Sequence, residues 1–320
     1  MKMGENLKSP YPWFGGKRKI ADMVWQRFGA VSNYVEPFFG SGAVLLARPG
    51  QPTTETINDA DGFVSNFWRA LQTNPDAVAF HADWPVNEND LHARHAWLVG
   101  QKDSMQTRLE GDPDWFDAKI AGWWGWGTAC WRGSGFCSGE GPWRVVEGQL
   151  VHVGNAGQGV NRKRERLGGF SETGVNAQAD LLSYMRQLAD RMRKVRVCCG
   201  DWSRVIGPSV TSKQGLTAVF LDPPYNEDAE RADNLYRVDC TKISNAVREW
   251  AVAEGANPLM RIALCGYEGE HNMPPQWDCQ SWNAGAGFGG QAKEGVNGNG
   301  KKERVWFSPH CLPPDQGRLL

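Results

Sequence analysis

A surplus of charge of either sign is missing from this sequence. Its 35 basic and 36 acidic residues leave a formal charge of -1. The chain as a whole therefore does not advertise nucleic acid, a membrane surface or an acidic substrate, and any such partner must be met by a local patch. Long apolar runs are missing too: none approaches the roughly 18 residues that span a bilayer. Residues 1–11 are polar, without the apolar stretch of a secretion signal. These absences predict a cytoplasmic protein with no membrane partner. Cysteine is sparse, eight in 320 residues, and no pair is spaced CxxC; Cys130 and Cys137 are separated by six residues, and Cys198 and Cys199 are adjacent. That is too dilute for a disulfide scaffold, so reduced, packed thiols are expected and no metal site.

Tryptophan, by contrast, is abundant. Sixteen are present, and six of them (Trp115, Trp123, Trp124, Trp126, Trp131 and Trp143) fall within 29 residues. With 41% apolar and 22% charged residues, the chain has the profile of one large globular domain or two.

The order of elements reads as α/β. Residues 18–28 carry Ile20, Val24 and Phe28 at helical spacing. Tyr34-Val35 starts a strand that ends in the turn Glu36-Pro37-Phe38-Phe39-Gly40-Ser41-Gly42, and residues 43–47 resume as a helix. A second strand near Thr56-Ile57 ends in Asn58-Asp59, ahead of a helix over 63–71. From about 75 to 176 the alternation stops, in a stretch rich in Trp, Gly and polar residues. It returns with a patterned helix over 177–195, a strand over 195–199, the apolar strand 216–221, and further strands at 261–265 and 305–307. Such alternation predicts a parallel sheet covered on both faces. The expected division is 1–74 with 177–320 as one domain, interrupted by an inserted subdomain at 75–176. Residues 283–300, with seven glycines in eighteen positions, read as a mobile loop.

Two places look chemical. The Gly40–Gly42 turn lies between strand and helix, where backbone approaches a ligand closely. A dinucleotide-binding turn would want a glycine where Leu45 stands, and the Gly-Lys-Ser/Thr of a phosphate loop is absent. A phosphate-bearing cofactor is thus disfavoured, and a nucleoside without phosphates stays open. Asp59, nineteen residues after Gly40 at the next strand end, stands where an α/β sheet sets a carboxylate against ribose hydroxyls.

The second place is Asp222-Pro223-Pro224-Tyr225, directly after the strand 216–221. Strand ends of an open α/β sheet share one crevice, so these four residues should face Gly40 and Asp59. They suit methylation of an exocyclic base amine, a poor nucleophile because its lone pair is delocalised into the ring. Asp222 and the Pro223 carbonyl would accept its two N–H bonds and favour a tetrahedral nitrogen. The two prolines fix the carbonyl's direction, and Tyr225 offers a ring for stacking.

Together these segments resemble the alpha-group DNA adenine-N6 methyltransferases, the family of bacterial and phage Dam enzymes. Pro12-Trp13-Phe14-Gly15-Gly16-Lys17 is similar to their N-terminal cofactor motif, and Glu36 to Gly42 to their glycine motif. Asn58-Asp59-Ala60-Asp61 is similar to their acidic ribose motif and Asp222 to Tyr225 to their catalytic motif, all in the family's order. The resemblance covers residues 12–71 and 195–226. It implies a Rossmann-like, S-adenosylmethionine-dependent methyltransferase sheet with an inserted target-recognition subdomain. It further implies that Trp13, Lys17, Glu36, Gly40, Gly42, Asp59 and Asp222 line the cofactor site, Lys17 near the cofactor carboxylate. Asp201 would reach the cofactor adenine or cap a helix. The reaction would be direct displacement at the sulfonium methyl on an adenine flipped out of duplex DNA, flipping costing a few kcal/mol. Methylation of a cytosine amine, or a silent DNA-binding protein of the same fold, are the alternatives; Asp before Pro-Pro-Tyr favours adenine by the same resemblance.

DNA contact must come from local charge. Residues 162–196 hold nine basic and four acidic side chains, and Arg162, Lys163, Arg164 and Arg166 read as phosphate contacts. Arg186 to Arg196 read as the outer face of their helix. The tryptophans at 123–131 read mainly as core, with Trp143 and Arg144 as candidate DNA contacts. A phage or prophage origin, a cognate restriction nuclease as partner, association with the nucleoid through DNA, and a monomer or weak dimer complete the expectation.

Overall fold

The computed structural model describes residues 7–13, 16–50, 53–131, 136–137, 143–147, 149–152, 177–225, 234–282 and 303–314. After a 3-10 turn at Lys17–Lys19, α1 (Ala21–Phe28) buries Val24, Trp25 and Phe28, and β1 (Asn33–Glu36) is buried throughout. A glycine loop leads to the single turn of α2 (Ala43–Leu46) and on to β2 (Thr54–Asp59). In α3 (Gly62–Thr73) the Asp61 carboxylate caps the start by accepting from the Phe63 N–H, and Phe63, Phe67, Ala70 and Leu71 point inward. Helix α4 (Pro75–Ala82) starts on the Asn74 side chain with Pro75 in its first turn, where the missing N–H costs nothing. Then come α5 (Glu88–Val99), α6 (Lys102–Gly111) and α7 (Ala118–Cys130). The hairpin β3 (Trp143–Val146) and β4 (Gln149–His152) precedes α8 (Ala177–Met192), β5 (Arg196–Cys199) and β6 (Thr217–Leu221). The chain closes with α9 (Asn234–Glu254), β7 (Met260–Tyr267), β8 (Asp278–Ser281) and β9 (Glu303–Phe307).

Seven strands form one sheet in the order β5-β2-β1-β6-β7-β9-β8. The first five are mutually parallel, and β9 runs antiparallel to both its neighbours. Alternate side chains enter opposite layers, as a two-sided sheet requires. From β6, Ala218 and Phe220 join the cluster under α1, α3, α7 and α8, whereas Val219 and Leu221 join the one under α9. The same alternation sends Ala263 and Cys265 of β7 to the first layer and Ile262 and Leu264 to the second. This is the expected α/β class, a mostly parallel sheet of Rossmann-like type. From β1 the chain moves to β2 on one side, while β6 lies on the other and leads outward to β7. The sheet's switch point is therefore between β1 and β6, and a ligand crevice belongs at their carboxyl ends.

In 75–130 the alternation does stop, and four helices take its place. The tryptophans at 123–131 form core, Trp124, Trp126 and Trp131 being buried and Trp123 half-buried, whereas Trp84 and Trp97 are exposed. Helix α7 lies tight on α4, because a Cβ on Gly122 would stand 2.7 Å from the Val78 carbonyl oxygen. Trp124 meets Tyr11 edge-to-face at 4.7 Å and stacks on Phe63 at 6.3 Å. These helices thus share one apolar cluster with α1, α3 and α8. Arg191 departs from the outer-face expectation. Its guanidinium turns inward and pairs with Glu55, which is only 2% exposed. Residues 162–166 and 283–300 lie outside the described residues.

Candidate active site

The glycine loop after β1 is fixed by hydrogen bonds to its own backbone. Gly40 has φ +49, in the left-handed region that favours glycine. A Cβ there would stand 2.3 Å from the Trp13 indole nitrogen, so the ring lies directly against the peptide. The Gly40 carbonyl accepts from the Tyr11 hydroxyl (2.8 Å) and the Trp68 indole N–H (3.2 Å). Its N–H donates to Asp59 Oδ2 at 2.9 Å. Gly42 also has positive φ, +70, and a Cβ there would meet the Phe39 ring at 2.6 Å. The loop, Trp13 and the end of β2 are therefore one assembly.

Asp59 is half-buried, and its Oδ1 accepts from the Asp61 N–H at 2.9 Å. Burial pushes its carboxyl up to about 7, with the neighbouring Asp61 adding to the rise and backbone N–H groups opposing it. Glu36 is nearly sealed below the loop, where it accepts from the Tyr34 hydroxyl at 2.7 Å. Burial holds it well above the usual carboxylate range, with Asp222 and Asp59 contributing in the same direction. It faces the core and presents no open anion. Asp201, exposed beyond β5, caps the following 3-10 turn by accepting from the Ser203 N–H at 2.9 Å. Its Oδ1 thus serves as a helix cap. Phe38 and Trp202, both half-buried, stack at 6.2 Å beside it.

Across the switch point, Asp222 follows β6 directly. Lys17 Nζ lies 2.9 Å from its Oδ1, and the Tyr225 hydroxyl donates to the same oxygen at 3.0 Å. Both contacts fall on Oδ1. Lys17 is 4% exposed, and Glu303 Oε2 lies 3.9 Å from its ammonium. Burial works to lower the lysine's pKa, but Asp222, Cys265 and Glu303 outweigh it and hold it above its ordinary value. Pro223 is buried and Pro224 half-buried.

Two expected site residues are engaged within the protein itself. Lys17, expected beside a cofactor carboxylate, is engaged by two carboxylates of the protein itself. Tyr225, expected to offer a ring for stacking, is 6% exposed. Its ring packs edge-to-face on Tyr267 at 4.6 Å with the Lys17 ammonium 5.1 Å from its centre. The cause is charge: the phenol is drawn inward by Asp222 and the ring by the buried ammonium. Arg162, Lys163, Arg164 and Arg166 lie outside the described residues. Trp143 and Arg144 lie on β3, opposite His152 and Val151 of β4.

Sequence reasoning missed Tyr11, Trp68, Tyr267 and Glu303. Only the aromatic richness hinted at the first three, and no motif marks Glu303. Among the described residues no cluster of His, Cys, Asp and Glu is suited to a metal ion, and no helix is long and apolar enough to cross a membrane.

Residues 13–92, which hold Trp13, Lys17, the glycine loop and Asp59, match the D12 class N6 adenine-specific DNA methyltransferase family. A comparison with curated proteins gives no match. Methyltransferases of this class draw their methyl group from S-adenosylmethionine. Over that segment, a quarter of the chain, the sequence is similar to the D12 class, a likeness that supports adenine-N6 methylation of DNA with S-adenosylmethionine as methyl donor.

Proposed function

We propose that the crevice at the carboxyl ends of β1 and β6 binds S-adenosylmethionine and receives an adenine flipped out of duplex DNA. The observation that carries this reading is the convergence, at the switch point of the sheet, of the Gly40 loop, Asp59 and the Lys17–Asp222 pair. The donor set fits the cofactor. Gly40 gives a bare peptide against Trp13, Asp59 a carboxylate for the ribose, and Asp201 with Trp202 a polar and an aromatic edge for the purine. Glu36 and Gly42 shape the loop from beneath.

The bound cofactor supplies an electrophilic methyl group. Asp222 Oδ2 and the Pro223 carbonyl accept the two N–H bonds of the target amine, and Pro224 holds that carbonyl's direction. Lys17 and Tyr225 keep Asp222 Oδ1 occupied, so the carboxylate cannot rotate away. The proton lost from the amine after transfer leaves through Asp222 to solvent. Stacking of the adenine on Tyr225 calls for its ring to turn away from Tyr267. Residues 75–176 serve target recognition within a catalytic domain of 1–74 and 177–320, with Arg162, Lys163, Arg164 and Arg166 on phosphates and Trp143 and Arg144 nearer the bases. The enzyme acts in the cytoplasm on chromosomal or phage DNA, as a monomer or weak dimer. Its divergent middle supports a phage or prophage origin, and pairing with a restriction nuclease would give the mark a protective role.

The test is methyl transfer from labelled S-adenosylmethionine to unmethylated duplex DNA, followed by nucleoside analysis. Asp222→Ala should lower transfer by about 10³-fold, about 4 kcal/mol of barrier, while DNA and cofactor still bind. Label in N4-methylcytosine would move the reading to cytosine. Undiminished transfer by Asp222→Ala would remove that residue from catalysis.

A further inference from the structure

We infer that Glu303 is a positioning residue for methyl transfer, acting on Asp222 through Lys17. The inference rests on the reading of Asp222 as the group that meets the target amine.

The two carboxylates around Lys17 are held differently. Asp222 follows the end of β6, outside any regular element. Glu303 belongs to β9, which has β7 on one side and β8 on the other. It lies in register with Tyr267 of β7, and its carbonyl accepts from the Trp282 N–H at 3.2 Å. The strand thus fixes one negative charge, and the lysine carries that fixed position across to Asp222. Lys17 has little freedom between them, with Asp222 Oδ1 at 2.9 Å, Glu303 Oε2 at 3.9 Å and the Tyr225 and Trp282 rings 5.1 and 5.7 Å from its ammonium.

Charge gives the second half of the argument. As the amine attacks the sulfonium methyl, positive charge develops on its nitrogen, and preorganised negative charge nearby lowers the barrier. Lys17 and Asp222 alone form a neutral pair. With Glu303 the three groups carry a net negative charge, so Asp222 remains an effective acceptor although its Oδ1 is bonded to an ammonium. Glu303 touches neither base nor cofactor in this role; it governs how the lysine holds the acid that does.

Glu303→Gln keeps the shape and removes the charge. Its single-turnover rate on unmethylated duplex DNA should fall about tenfold, while the Kd for S-adenosylmethionine changes by less than about threefold and the Tm holds. Glu303→Asp should recover most of the rate. Made in a Lys17→Met background, Glu303→Gln should cause no further slowing, because the path to Asp222 is already cut. A wild-type rate for Glu303→Gln overturns the inference, as does an equal loss in both backgrounds. A loss that tracks Tm and appears equally in Glu303→Asp also overturns it, in favour of a purely structural role. Asp222→Asn run beside these variants separates the two readings. If it transfers normally, the assignment of Asp222 has failed; if it is inactive while Glu303→Gln is normal, only the present inference has failed.

Discussion

The ends of β1, β2 and β6 and the helices from α4 to α7 make opposite uses of their unusual residues. At the strand ends, polar groups are gathered where burial makes them costly, and each is held by another: Gly40 by Asp59, Asp222 by Lys17 and Tyr225. In the helices the conspicuous residues are tryptophans, and those of α7 fill space. Trp126 is wholly buried and needs only one polar contact, its indole N–H donating to the Trp84 carbonyl at 2.8 Å. Chemistry demands particular groups at particular places, whereas a core accepts any well-fitting apolar volume. The first region is therefore recognisable as short motifs and the second only as composition.

The largest effect that sharpens this contrast is expected in the helices. Trp126→Ala should cost about 3–5 kcal/mol of stability, read as a fall in Tm or in the denaturant midpoint. Because α3, α7 and α8 share one apolar cluster, unfolding should remain a single transition. Two transitions would show that the helical region folds apart from the sheet. Activity per folded molecule should be unchanged.

A smaller effect is expected from charge alone. Replacing Arg162, Lys163, Arg164 and Arg166 together by alanine should weaken duplex binding without moving Tm. If all four meet phosphates, the slope of log affinity against log salt should become shallower by about 3 to 4, since each phosphate contact contributes about 0.9. An unchanged slope would leave the run as a solvated face.

The smallest effect belongs to the strand ends. The Asp59 carboxyl, raised to about 7 in the folded chain, holds its proton more tightly there than in the unfolded chain, where it titrates near 3.9. Stability from this group is complete below the unfolded value and falls as pH rises through the folded one. Between about pH 4 and 7 the Tm of Asp59→Asn should therefore decline less than that of the wild type. Parallel curves would mean that Asp59 is already ionised in the fold, as a carboxylate awaiting ribose hydroxyls can be.

The middle of the sheet was legible because β6 and β7 are largely apolar runs, and β1 and β2 because each ends in turn or acidic residues. Thr217–Leu221 is buried throughout and reads as a strand directly. The edge strand Asp278–Ser281 alternates between half-buried and exposed positions; it has no apolar run to betray it and was not foreseen. Helices α4 to α6 were missed for a related reason, since each buries only a few side chains among many polar ones.

By itself the sequence determined the α/β class, the order of the segments, and the residue types at Gly40, Asp59 and Asp222, because backbone sterics, hydrophobic periodicity and reaction chemistry are local demands. Only the tertiary structure decided which of those residues touch. The pairing of Lys17 with Asp222, the inward turn of Tyr225 and the approach of Glu303 to Lys17 join positions far apart in the chain. Burial makes each such charge dependent on its neighbour, and no local pattern records which neighbour that is.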